Sequence, residues 1–188
     1  MGNTQALLQD AHRLGPAAPD EEYVYGSCAP GWHAAADHAT CVSEWIEDVQ
    51  SAEIERVCCL LAASEDEAEQ TNVGVYRDAF GPDRTLHASM PANRLADPKQ
   101  LNEEILPFLE AGKAEDEATV VHGLSGLCRT GQVLSAWLVS DRGYRPDRAV
   151  RIVEEYGRDP RNVIRNGDAT EEDLSELLEA IRRPPEQY

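Results

Sequence analysis

The residues best suited to chemistry lie in one run, Val120-Val121-His122-Gly123-Leu124-Ser125-Gly126-Leu127-Cys128-Arg129-Thr130-Gly131. An apolar stretch ends in a histidine; small residues come next, then an arginine and a hydroxyl. A strand-to-helix turn made of such residues directs successive backbone N–H groups into one concavity, and the helix N-terminus adds partial positive charge. Gly126 permits a tight turn where a side chain would collide. Arg129 supplies a planar, permanently charged fork able to hold two oxygens of one phosphate. The chemistry implied is capture of a phosphoryl group or another oxyanion by Gly123, Leu124, Ser125, Gly126, Leu127, Cys128 and Arg129, with the side chains of Leu124 and Leu127 expected to turn into the core. The plain alternative is an ordinary glycine-bearing junction with Arg129 as a surface cation. A nucleotide-type phosphate loop is disfavoured, because its Gly-Lys-Ser/Thr ending is absent.

The run resembles the phosphate loop of the cysteine-dependent tyrosine and dual-specificity phosphatases, written His-Cys-x-x-Gly-x-x-Arg-Thr-Gly. His122, Gly126, Arg129, Thr130 and Gly131 stand at that spacing, while Gly123 stands where the nucleophilic cysteine belongs. The resemblance covers about residues 20–165 and implies the phosphatase fold, no cofactor and no metal. It implies a phosphorylated ligand, either a phosphoprotein or a small phosphate ester. In the family the cysteine is a thiolate held ionised by the loop N–H groups, and it forms a phosphocysteine intermediate. The histidine, here His122, orients the loop and helps to keep the thiol ionised. The hydroxyl, here Thr130, helps the intermediate to break down. These roles are implied by the resemblance alone.

Two departures stand out. Glycine has no side chain, so no nucleophile exists at 123. Cys128 is expected, from the family's geometry, to face away from the phosphate, and Ser125 has no activating base in view. The family also carries an aspartate, as general acid, on the loop before the Pro98 helix. Here that loop reads Met90-Pro91-Ala92-Asn93-Arg94-Leu95-Ala96. The acid would fall near Ala92 or Asn93, and neither delivers a proton well. Asp97 is the nearest carboxylate, and its simpler role is a helix cap. The resulting expectation is a catalytically impaired pseudophosphatase. Its rivals are a working phosphomonoesterase with an unrecognised nucleophile and a structural or interaction module with a vestigial pocket.

These residues need a scaffold, and the hydrophobic pattern supplies one. Short apolar strands are expected at 23–25, 56–61, 85–88 and 118–122, alternating with amphipathic helices at 43–50, 73–80, 98–112, 132–142, 147–156 and 171–181. Alternation of this kind specifies an α/β domain, a mostly parallel central sheet flanked by helices. Residues 1–20 read as a flexible arm, 21–183 as a single domain and 184–188 as a tail. Trp32 and Tyr25 either border the pocket or pack in the core, and Arg158 is either a basic residue near the pocket or a surface cation. His33, His38 and Cys41 cluster in sequence but lack the ligand number and spacing of a metal site. Glu65-Asp66-Glu67 reads as a solvated charged face.

The chain has 188 residues and a formal net charge of −18. That charge argues against nucleic-acid binding, which requires a basic face. Only Lys99 and Lys113 are lysines among seventeen cations. An acidic, lysine-poor surface resembles that of proteins from salt-loving microbes, since molar salt shortens the Debye length to about 3 Å and screens like-charge repulsion. The five cysteines fit neither a paired framework nor a zinc spacing. No apolar run reaches the length of a membrane span, and the first twenty residues carry no basic-then-apolar leader. A reduced, cytoplasmic setting is the expectation. The sequence leaves the oligomeric state open.

Overall fold

The computed structural model describes residues 12–32, 35–63 and 71–183. Five strands form one sheet: β1 Gly15–Pro16, β2 Val24–Ser27, β3 Ile54–Cys59, β4 Thr85–His87 and β5 Ala118–His122, in the order β1-β2-β5-β3-β4. β1 runs antiparallel on the edge, and the remaining pairings are parallel. β5 is therefore central, and the loop at its C-terminal end emerges where parallel sheets present ligands.

The helices are α1 His38–Ser51, α2 Val73–Phe80, α3 spanning 98–114, α4 Cys128–Arg142, α5 Pro146–Glu155, the short α6 Asn162–Arg165 and α7 Glu171–Glu179. Within α3, a π-helical stretch at Leu101–Ile105 joins Pro98–Gln100 to Leu106–Ala114, and the Leu106 N–H donates five residues back to Leu101 O. Pro107 comes next; lacking an N–H and crowding the preceding turn, it favours such local widening. Among the described residues no helix is long and apolar enough to cross a membrane.

Two apolar layers sandwich the sheet, and the strand period of two assigns residues to them. Cys58 and Val121 face a layer built from α3, α4, α5 and α7, with Leu101, Leu134, Trp137, Val153 and Leu178. Val57, Cys59 and Val120 face a smaller layer, with Trp45 and Val49 of α1 and Tyr76 and Phe80 of α2. His122 is on the Val120 face, and so ends among the aromatic rings of Trp45 and Tyr76. Helix α4 runs through the middle: every residue from Arg129 to Ser140 is buried.

Several boundaries differ from the sequence reading. α1 starts at His38 rather than 43, because Asp37 caps it by accepting from the Thr40 N–H. β2 runs on through Gly26 and Ser27, and α6 had no periodic signal. Residues 12–18, assigned to the arm, are packed: Gly15 and Pro16 pair with Gly26 and Tyr25, and Ala17 and Ala18 enter the larger core layer. The rest of the expected arm, His33, the Glu65–Glu67 run and the expected tail lie outside the described residues. Asp97 and Thr170 are helix caps as expected, Thr170 within a full capping box.

A fully buried leucine at the heart of α4 sets a stability test. Leu134→Ala is expected to cost about 2–5 kcal/mol by loss of burial and creation of a cavity. Urea unfolding reads this directly, and a change within about 0.5 kcal/mol would contradict the central placement of α4.

Candidate phosphate-binding site

The loop 123–127 links β5 to α4, and its carbonyl groups are all taken up by the protein. Gly123 O accepts from His122 Nδ1 at 2.9 Å. Leu124 O accepts from the Ala29 N–H at 2.9 Å. Ser125 O accepts from Arg13 Nη1 at 2.8 Å and Gly126 O from Arg158 Nη1 at 2.8 Å. Leu127 O accepts from the Gly131 and Asp159 N–H groups, both at 3.0 Å. A trans peptide holds its C=O and N–H antiparallel, so carbonyls fixed outward turn the following N–H groups inward. Among the described residues, the N–H groups of Leu124, Ser125, Gly126 and Leu127 find no protein acceptor. Consecutive N–H groups turned to one side in this way are an arrangement that can cradle an anion.

Gly126 makes the turn possible. Its φ is +76°, and a Cβ there would lie 2.5 Å from Ser27 O. Gly123 has no such backbone constraint. A Cβ on it would meet Arg129 Nε at 3.3 Å and Thr130 Oγ1 at 3.7 Å. The geometry there tolerates a small side chain with slight adjustment, so glycine is not imposed by φ. Thr130 Oγ1 accepts from the Gly123 N–H at 3.1 Å.

Above the loop lies a cavity of about 220 Å³ lined by Trp32, Ala92, Asn93, Leu124, Ser125, Leu127, Cys128, Arg129 and Asn162. Arg129 is only 7% exposed and donates from Nη1 to Met90 O at 3.1 Å. Ala92 and Asn93 line the cavity at the position expected for the family's acid, and among the described residues no carboxylate joins the lining. Asn93 holds a positive φ of 58°. Gln132, fully buried on α4, pins the same loop by accepting from the Ala96 N–H at 2.7 Å and donating to Arg94 O at 3.1 Å. A wider groove, about 670 Å³, lies between residues 94–98 and α7, but Asp168, Asp173 and Glu176 make it unsuited to an anion.

His122 is fully buried. Nδ1 donates to Gly123 O, which fixes Nε2 as acceptor from the Tyr76 hydroxyl, 3.0 Å away. Burial depresses its pKa to about 4, so the ring is neutral near pH 7. Cys128 is half-buried at the cavity, within 3.6 Å of Gln132 Nε2, and burial pushes its thiol pKa up rather than down. It is a protonated thiol, not a ready nucleophile.

Most of the residues singled out in the sequence converge here, with corrections. Leu124 and Leu127 do not turn wholly into the core; both are half-buried and line the cavity. Cys128, expected to face away, lines it too. Trp32 borders the cavity, whereas Tyr25 packs against the smaller core layer. Arg158 is not a surface cation: it is 4% exposed and lies behind the loop, donating to the Gly126 carbonyl as well as those of Gly26 and Arg13. His38 Nε2 bonds Asn72 Oδ1, and Cys41 is buried. Sequence reasoning missed Arg13, Tyr76, Gln132 and Asn162, all supplied by other elements with no local motif.

No protein-family model matches the sequence, and no curated protein matches it. Solved structures do. Tk-PTP in its active form is 23% identical with a TM-score of 0.62, over 88% of this chain and 96% of that one. PTPMT1 in complex with PI(5)P is 14% identical with a TM-score of 0.62, over 89% and 96%. A cysteine-to-serine form of TpbA from P. aeruginosa in complex with pTyr is 19% identical with a TM-score of 0.52, over 85% of each chain. The chain shares the fold of these phosphatases.

The geometry generates two expected outcomes. Gly126→Ala combines a positive φ with a backbone collision, expected to cost about 1–3 kcal/mol in strain and to abolish phosphate binding in calorimetry; normal affinity would refute the turn. His122 sets a pH dependence. Its folded pKa near 4 lies below the ordinary value of about 6.5, so the unfolded chain takes up the proton first as pH falls. Its contribution is complete above about pH 7 and is lost toward pH 4, amounting to about 2 kcal/mol by about pH 5. Denaturation midpoints for wild type and His122→Gln should therefore converge on acidification, and parallel curves would rule this out.

Proposed function

We propose that this chain is a phosphoryl-binding protein on a phosphatase scaffold, impaired in the usual thiolate chemistry. The observation that carries the reading is the loop's peptide orientation beneath Arg129: N–H groups without a protein acceptor face the cavity while every loop carbonyl is held outward. The ligand is a phosphate ester presented at the mouth bordered by Trp32 and Asn93. Two of the structural neighbours carry such ligands, PI(5)P on PTPMT1 and pTyr on TpbA. Phosphate esters are the common chemistry, and both are suitable probes here.

Impairment follows from what surrounds the anion. Gly123 offers no nucleophile, and Ala92 and Asn93 offer no acid. Loss of a thiolate also removes a like charge facing the phosphate, so ground-state binding is retained or strengthened. One observation favours a second reading, in which the chain is a working phosphomonoesterase: Cys128 lines the cavity. Burial of its thiol, which opposes ionisation, weighs against it. The acidic, lysine-poor surface further supports a protein adapted to concentrated salt, so binding is best measured across a range of salt concentrations.

Turnover of a generic aryl phosphate is expected to stay at the background set by Arg129→Ala, while calorimetry detects phosphate or tungstate binding by the wild type. Robust turnover that Arg129→Ala abolishes would overturn impairment, and a phosphoryl group found on Cys128 by mass spectrometry would establish the second reading. Gly123→Cys should recover only weak activity, because the missing general acid accounts for roughly 10²–10⁴-fold on its own. Recovery to ordinary phosphatase rates would contradict the acid-free reading of residues 90–96.

A further inference from the structure

We propose that Arg13 is a positioning residue of the anion site, so that the segment around residues 12–16 belongs to the binding machinery. The inference rests on the phosphoryl-binding reading and names what holds the site in its binding-competent form.

Each inward N–H of the loop depends on a donor that secures the preceding carbonyl. His122 secures Gly123 O and thereby the Leu124 N–H, and Ala29 secures Leu124 O and the Ser125 N–H. The peptide between Ser125 and Gly126 depends on Arg13, which donates to Ser125 O from Nη1 at 2.8 Å. The next peptide depends on Arg158, through Gly126 O. These two peptides flank the one loop residue with a positive φ. Glycine has the lowest barrier to rotating such a peptide. Without a donor on Ser125 O, the peptide is free to turn over. That would replace an inward N–H by an inward carbonyl and repel an anion.

The segment is built to deliver Arg13. Its backbone carbonyl accepts from Arg158 Nη2 at 2.8 Å, the same nitrogen that donates to Gly26 O. His12 O accepts from the Cys28 N–H at 2.8 Å, and His12 Nε2 lies 2.8 Å from Asp48 Oδ2. Beyond Arg13, β1 is paired to β2. Arg13 itself holds a φ of 49°. Such a conformation in a residue with a side chain persists when its surroundings fix it. Among the described residues no carboxylate pairs with Arg13 or Arg158. In a chain of net charge −18, two adjacent arginines that donate only to backbone carbonyls leave the local field positive, as an anion requires.

The experiment measures inorganic phosphate and tungstate affinity of wild type, Arg13→Gln and Arg13→Lys by calorimetry in about 1 M salt, where a charge effect acting at a distance is screened. The anion-free melting temperature and the phosphate-induced shift of the Gly126 amide in NMR spectra are recorded alongside. Arg13→Gln is expected to lose about tenfold in affinity, the equivalent of one charge-assisted hydrogen bond. It should also lose the Gly126 response, with little change in anion-free melting. Arg13→Lys, which keeps a charged donor, should restore most of both. Should Arg13→Gln fail to fold, Arg13→Met takes its place: a tenfold loss of affinity with loss of the Gly126 response supports the proposal, and affinity within twofold of wild type overturns it. Affinity within twofold of wild type and an intact Gly126 response in Arg13→Gln would overturn the role of Arg13 alone. Failure of the wild type to bind either anion would overturn the site together with it.

Discussion

Peptide orientation in the 123–127 loop is the constraint around which the rest of this structure is arranged. A loop of this length has no intrinsic reason to turn its N–H groups to one side. It does so here because acceptors are captured on the other side, and the captors come from across the chain. His122 belongs to β5, Ala29 to the segment after β2, Arg13 to the stretch before β1, and Arg158 to the turn after α5. The candidate site is thus a tertiary object. Its chemistry is written in five residues, but its geometry is held by donors roughly a hundred residues away in sequence on one side and thirty on the other.

Burial strengthens these contacts and makes them demanding. Arg158 is almost wholly buried, and burial lowers its pKa to about 10, yet it remains a cation near neutral pH. A buried cation without a carboxylate is costly unless its donors are satisfied. Carbonyls of Gly26, Gly126 and Arg13 accept from its two Nη groups, while its buried Nε has no partner among the described residues. Gln132 acts in the same manner toward the 90–97 loop, and Arg129 fastens that loop's beginning through Met90 O. Helix α4 therefore carries the hydrophobic centre of the domain and the fasteners of two functional loops. Its lack of a polar face is consistent with that double duty.

The sequence made some of this legible and not the rest. β5 and the loop after it stood out because an apolar run stopping at His122, then Gly126 and Arg129 at short spacing, encode a local geometry. The sheet was readable for the same reason, since period and turn residues are local signals. Arg13 and Arg158 gave no such signal: a lone arginine looks the same whether it meets solvent or a carbonyl. The packing of residues 12–18 was hidden in the same way, because Gly15, Pro16, Ala17 and Ala18 resemble a loose arm until the edge of β2 is there to pair with them. That Leu124, Leu127 and Cys128 are half-buried beside the cavity was hidden for a related reason. Half-burial at a cavity depends on how closely the walls approach, and that is set by Trp32, Asn93 and Asn162 on other segments.

The two departures at 123 and at 92–93 bear on different steps of phosphoryl chemistry. A thiolate attacks phosphorus, whereas an acid protonates the leaving oxygen; binding of the ground state needs neither. In the proposed reading, the inward N–H groups and the buried Arg129 act on the charge of a bound group and are indifferent to any later bond-breaking step. Gly123 is different in kind from Gly126. Backbone geometry requires glycine at 126, while at 123 it leaves room for a side chain that is not there. Backbone geometry thus dictates the residue type at the turn that orients the loop N–H groups, and it dictates none at 123.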